Sequence, residues 1–200
     1  LLDKKDMKYT VAQAMNNGWM WQIPKKDKLG CGYNFSSKYC TEEEAIQEVE
    51  NFLGQKITPI KTIKYNVGSL ENVYSKNVMF LGLSANFLEP LEATSLNTSI
   101  KIIDQTHKIL CGSNPEVENK KYINTLEETI DIIMLHYLVE PPIKNAFWEM
   151  ANHKANVWFK SRYKNYPKIR LITQGDSLHY ATWFEDSFKQ NLSGMNLYEK

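Results

Sequence analysis

The sequence is short of several things, and each shortage narrows what it can be. Arginine is nearly missing: only Arg162 and Arg170 accompany the lysines, and acids balance the bases to a formal net charge of +1. That balance offers no electrostatic footing for nucleic acid or an anionic membrane surface. Cysteine is scarce too. Cys31, Cys40 and Cys111 form neither a CxxC pair nor a Cys/His ligand spacing, which points to reduced thiols and a cytoplasmic protein. No apolar run approaches the roughly 20 residues of a membrane span. The four histidines, His107, His136, His153 and His179, show no H-x-E or H-E-x-x-H spacing, so no metal is expected. A Ser/His/Asp constellation and a G-x-G-x-x-G dinucleotide fingerprint are also missing. The chain opens Leu1-Leu2-Asp3-Lys4, charged at once and without an initiator methionine or signal-peptide pattern. We read it as a piece of something longer.

What is present is globular in composition, with 42% apolar and 24% charged residues and enough length for one domain or parts of two. Lys8–Met15 suits a strand, and Asn16-Asn17-Gly18 a turn. Trp19, Trp21 and Ile23 alternate with Met20 and Gln22 up to Pro24, and Gly30–Ser36 returns as another strand, so this region is expected to be an antiparallel hairpin-like piece. Thr41 followed by three glutamates is a capping box, opening a helix to about Phe52 that Gly54 stops. Ile57–Tyr65 reads as a strand with Pro59 near its edge. Further helices are expected over Val117–Val139, with Ile123, Leu126, Ile130, Ile133 and Tyr137 as an apolar stripe, and over Ile143–Tyr163. Pro141-Pro142 separates them, and Leu178 onward suggests a last helical piece. The first ~95 residues are thus mixed and the rest mostly helical.

The organising stretch is Asn77 to Ser95, NVMFLGLSANFLEPLEATS. Its apolar opening, VMFLGL, suits a buried strand. It breaks at Gly82 and Ser84 and restarts after Pro90 as a helix, with Leu96, Ile100, Ile103, His107 and Leu110 on one face. His107, riding that stripe, is expected to be a satisfied core residue. Glu89 and Glu92 flank the proline at the helix start, where free backbone N–H groups gather and favour acids. On spacing alone, Glu92 is most simply a first-turn acid and Leu83 and Leu96 are core leucines. The aromatics around Trp148 and Trp158 could stack on an indole ring, but at helical spacing they are more often core.

Two motifs say more. NVMFLGLSANFLEPLEATS resembles the flavin-contacting strand–turn–helix of flavin-dependent halogenases, the tryptophan halogenase family. Gly18–Pro24, GWMWQIP, matches that family's W-x-W-x-I-P signature, in the right order and at about the right distance. Weaker echoes are His136-Tyr137 with Ala146-Phe147-Trp148, and the segment Trp183–Met195. The similarity spans essentially the whole chain, with specific motifs in residues 18–33 and 77–96.

The resemblance implies an α+β or α/β fold. Residues 1–110 would be the later part of a sheet-based, monooxygenase-like FAD-binding domain, and 111–200 a mostly helical substrate-binding region of a longer chain. It implies Glu92 as the catalytic and substrate-facing carboxylate, working with an upstream lysine that is not in these residues. Thr94 and Ser95 would bind chloride or bromide through backbone N–H groups, and Leu83 and Leu96 would contact FAD. Glu89 would be structural, and the W-x-W-x-I-P motif a marker near the flavin. Ala93 is a departure, because the family often has serine directly after the catalytic glutamate. The expected activity is FADH2- and O2-dependent halogenation of tryptophan or another electron-rich aromatic, with a separate flavin reductase as partner and a homodimer compatible with it. The fragment alone is expected to be inactive. A flavin-dependent aromatic hydroxylase and a degenerate, non-catalytic helical binding domain are the alternatives.

Overall fold

The computed structural model describes residues 9–138 and 143–165, without the side chains of 92 and 163–165. The described residues are α+β and divide into two compact units, one centred on residues up to Ile63 with Glu140–Lys154, the other on Lys64–Val139 with the chain from Ala155. Pro141-Pro142 and everything expected beyond residue 165, including the Trp183–Met195 echo, lie outside the described residues.

In the first unit β1 (Val11–Met15), β2 (Gly18–Pro24) and β3 (Leu29–Phe35) form an antiparallel meander with β2 in the centre. Trp21 stands opposite Gly32 across the β2–β3 pair. A Cβ added at Gly32 would lie 2.2 Å from the Trp21 ring, so the glycine is what lets the indole lie across the neighbouring strand. The opposite face, with Met15 and Met20, packs on Val49 of α1 (Glu42–Leu53). Both hydrogen bonds of the capping box are formed at the start of α1: Glu44 N–H donates to Thr41 Oγ1 at 3.2 Å, and Thr41 N–H to Glu44 Oε2 at 2.8 Å. Gly54 ends the helix in the left-handed region at φ 66°, where a residue without a Cβ is least strained. Beyond it the expected strand Ile57–Tyr65 does not form. The segment has no regular structure and exposes Ile60 and Ile63. Pro59 removes a ladder donor, and among the described residues no strand pairs with this one.

The second unit has two-stranded pieces, β4 (Gly68–Ser69) with β7 (Asn86–Phe87) and β5 (Tyr74–Ser75) with β6 (Val78–Met79). They sit with α2 (Thr94–Leu110) and α3 (Pro115–Leu138) around a core of Val73, Tyr74, Ala85, Ile102, Tyr122 and Leu126. The run VMFLGL is therefore not one buried strand. Val78 and Met79 form a short, exposed strand, and the chain turns at Phe80 and enters a 3-10 turn at Gly82–Ser84. Lys76, at φ 56°, forms the tight turn between β5 and β6. α3 buries residues around most of its circumference, Glu118, Thr129 and Asp131 among them, so it is enclosed more fully than a single stripe implies. α4 (Ala146–Asn165) begins with the first unit and continues in the second.

The apolar stripe of α2 faces the other way from expectation. Leu96, Ile100, Ile103, His107 and Leu110 do share one face, but that face is exposed, and the residues turned inward are Thr94, Thr98, Ile102 and Gln105. His107 is accordingly not a core residue. Its Nε2 lies 3.8 Å from the exposed Cys111 Sγ. Periodicity reports that side chains share a face and is silent on which face is covered.

Candidate functional site

The bend between Leu81 and Ser95 is built by local hydrogen bonds before any tertiary contact is counted. Gly82, at φ 62°, opens the first 3-10 turn. Leu81 N–H donates to Ser84 Oγ at 3.1 Å, and that hydroxyl donates back to Leu81 O at 2.8 Å. Asn86, buried beneath the bend, accepts from Thr98 Oγ1 at 3.2 Å, and Ala85 O accepts from Tyr122 OH at 3.2 Å. These bonds fasten the bend to both α2 and α3.

The chain then makes a second 3-10 turn, Leu91–Ala93, after Pro90. Leu91 is buried, and Thr94 N–H closes the turn on Leu91 O. Between this turn and α2 stands Ala93 in the left-handed region, φ 51° and ψ 32°. For a residue with a Cβ that region costs roughly 1–2 kcal/mol. Strain of this kind persists only where the surroundings hold it, and it concentrates at functional sites. Here a buried leucine and a buried threonine flank it. Thr94 is 1% exposed, and its hydroxyl donates to Glu89 O at 3.2 Å.

The predicted residues Glu92, Thr94, Ser95 and Leu96 are consecutive on this turn and helix start. The backbone of Glu92 lies in the 3-10 turn. Thr94's side chain is turned into the fold, so what it can offer a ligand is backbone. Its N–H serves Leu91 O, whereas Ser95 and Leu96 occupy first-turn positions, whose N–H groups have no helical carbonyl to meet. A left-handed residue leading into a helix start also draws successive N–H groups toward a common side, an arrangement that suits an anion. Leu96 is 64% exposed and Leu83, on the turn packed against α2, 76% exposed. Two large apolar side chains presented beside free amides are compatible with a flat aromatic cofactor carrying polar edges.

Glu89 has a different job from Glu92. Its carboxylate accepts a hydrogen bond from Tyr137 OH on α3, while its backbone carbonyl receives Thr94 Oγ1. Tyr137 was visible in the sequence as half of an H-Y echo. Its use as the anchor of the bend was not, since 48 residues separate it from Glu89.

The two tryptophans set aside as possible stacking groups are both held by their indole N–H. Trp148 Nε1 donates to Met15 O at 2.7 Å, and Trp158 Nε1 to Asp131 Oδ1 at 2.8 Å. Asp131 is 1% exposed and also takes Arg162, whose Nη2 donates to Oδ2 at 2.9 Å. Burial pushes the Asp131 carboxyl up to about 6, against the opposing pull of the Trp158 hydrogen bond and the Arg162 charge. Elsewhere, a cleft of about 350 Å³ in the first unit is lined by Asn16, Asn17, Tyr39, Cys40, Glu44 and Glu48 among others. Its acids are occupied, Glu44 in the capping box and Glu48 by Asn16 N–H and Tyr33 OH. Among the described residues no group of three His, Cys, Asp or Glu could hold a metal ion, and no helix is long and apolar enough to cross a membrane.

Comparison with known proteins bears on this arrangement. A family model described as tryptophan halogenase matches residues 3–199. Tryptophan 7-halogenase RebH of Lentzea aerocolonigenes is 28% identical over 202 residues, covering 95% of this chain and 38% of its own length. The crystal structure of the tryptophan 6-halogenase SttH from Streptomyces toxytricini superposes with a TM-score of 0.74 at 24% identity, covering 92% of this chain and 38% of that one. A flavin-dependent halogenase from Xanthomonas campestris gives 0.73 at 24% identity, covering 97% and 40%. The chain therefore spans about two fifths of the length of these relatives.

Proposed function

The chain belongs to the tryptophan halogenase family, and from that premise we propose that it carries the acid-bearing, halide-binding part of an FADH2- and O2-dependent halogenase. The substrate is tryptophan or another electron-rich aromatic ring. Residues 1–110 serve the flavin side and 111–200 the substrate side. A separate reductase supplies reduced flavin in the cytoplasm, and a homodimer is compatible with this scheme. The 200 residues alone are expected to be inactive, because neither the glycine fingerprint nor the lysine partner is among them.

The observation that carries the reading is the turn Pro90–Ser95. It sets an acid, a strained left-handed alanine and the start of a 17-residue helix next to one another. Leu83 and Leu96 would hold the flavin by apolar contact, and the bound flavin, with oxygen and halide, supplies hypohalous acid. Backbone N–H groups at Thr94 and Ser95 hold chloride or bromide. They act through the main chain, so serine at the second position is no obstacle. Glu92 orients the halogen donor, offsets the positive charge that develops on the ring, and accepts the proton that leaves it. Ala93, where the family often has serine, removes one hydroxyl between flavin and substrate sides without disturbing this division of work.

The test is product mass. The chain, joined to a flavin-binding portion and supplied with reductase, oxygen, bromide and an indole substrate, is expected to give a brominated ring. A product heavier by one oxygen and free of bromine would assign it to flavin hydroxylases instead. Absence of any product from a polypeptide that binds FAD and substrate would favour a non-catalytic binding domain.

A further inference from the structure

The outer face of α2 has no role in the scheme above. Leu96, Ile100, Ile103 and Leu110 are 64%, 56%, 53% and 82% exposed. At 100° per residue they fall within about 80° of one another, opposite the inward set of Thr94, Thr98, Ile102 and Gln105, and at 1.5 Å per residue they run about 21 Å along the helix. The sequence has thus put its large apolar residues outside. Inward it has put hydroxyls and an amide, Thr98 bonding Asn86 Oδ1 and Ser95 O. The other described helices behave differently. α1, α3 and α4 each expose one large apolar residue, Phe52, Val117 and Val157. A contiguous apolar stripe on one helix of a folded unit marks a surface made to be covered.

We propose that this stripe, with Leu83 at its end, is the docking surface for the polypeptide that makes up the rest of the halogenase, the portion carrying its dinucleotide fingerprint. This rests on the functional reading above. Three observations favour that occupant. The chain spans 38% of the length of RebH and 40% of the Xanthomonas campestris structure, so more than half of a family member's polypeptide has to meet this part somewhere. The stripe begins at Leu96, in the first helical turn beside Ser95, and continues to the exposed Leu83. A segment that completes a flavin site there necessarily reaches this face. The helix also lacks the basic edge that a membrane-binding helix needs, since Lys108 is paired with Asp104 at 2.6 Å. A second copy of the chain seated on the stripe would cover Leu83 and Leu96, the positions read as flavin contacts.

The experiment is hydroxyl-radical footprinting of Leu83, Leu96 and Leu110, on the isolated 200-residue chain and on a polypeptide in which the fingerprint portion precedes it. Sedimentation runs alongside. The expected result is a monomeric isolated chain with the leucines labelled, and protection in the longer polypeptide of at least about tenfold, as water is excluded from an interface core. Ile100→Lys with Ile103→Lys should restore labelling in the longer polypeptide. The same pair should leave the circular dichroism of the isolated chain unchanged, because both positions face solvent. Equal labelling in both forms would overturn the proposal. So would protection already present in an isolated chain that sediments as a dimer, or protection of the isolated chain by phosphatidylglycerol vesicles. Product mass from the same longer polypeptide separates the two ideas. Protection without bromination leaves the docking face standing and removes the halogenase reading, and bromination without protection does the reverse.

Discussion

At the scale of single residues, the bend depends on a few side chains whose importance is out of proportion to their size. Ala93 is held left-handed at φ 51°. Replacing it with glycine removes the Cβ conflict, at the expense of a more flexible unfolded chain, and the net expectation is stabilisation by up to about 1 kcal/mol. Urea unfolding of Ala93→Gly checks this, and destabilisation would mean that the methyl group makes contacts worth more than the strain. Tyr137→Phe deletes the phenol that meets Glu89 and leaves a half-buried carboxylate short of a donor, which should cost about 1–2 kcal/mol. Glu89→Gln keeps an acceptor and should cost less. The order of these two variants, read from unfolding midpoints, tests whether Glu89 serves the fold through its acceptor oxygen.

Asp131 makes a prediction in pH. Its folded-state carboxyl is raised to about 6, so the native state holds the proton more tightly than the unfolded chain does. Its contribution is therefore fully present below about pH 4 and is lost as pH climbs through 6. The loss is about 3 kcal/mol as an order of magnitude. Asp131→Asn keeps an acceptor for Trp158 Nε1 and should flatten the dependence of unfolding free energy on pH between about 4 and 6. Parallel curves for the two proteins would remove Asp131 as its source.

Elements differ in how far the chain announced them. α1 was legible end to end because its signals are local: Thr41 and Glu44 bond each other, and Gly54 stands where the helix must turn left-handed. The β2–β3 pair was legible for a similar reason, since alternation needs only neighbouring residues. What could not be read was its reason for glycine. Gly32 lies under the Trp21 ring, and Gly32→Ala should cost roughly 1–3 kcal/mol as an overpacking change, measurable as a lower thermal midpoint. Two elements misled. VMFLGL is apolar enough for a buried strand, yet its residues divide between a short exposed strand and a turn. Ile57–Tyr65 has the composition of a strand but no partner to pair with. Whether an apolar segment is paired, buried or awaiting a surface depends on chain far away, and local pattern does not encode that.

For the molecule as a whole, the candidate site was legible as an address and not as a geometry. Resemblance led to Glu92, Thr94, Ser95, Leu83 and Leu96, and all five lie on the bend and helix start that open α2. The left-handed alanine, the inward turn of Thr94 and the Glu89–Tyr137 anchor come from long-range packing that spacing cannot report. The outward stripe of α2 belongs to the same lesson, since its partner lies outside the fold described. The account converges on one carboxyl group, and the most direct measurement replaces it. In the longer, FAD-binding polypeptide, Glu92→Gln should lower bromination of an indole substrate by at least about a hundredfold, with FAD affinity and halide-dependent formation of hypohalous acid unchanged. Bromination of the indole at the wild-type rate by that variant would contradict the account.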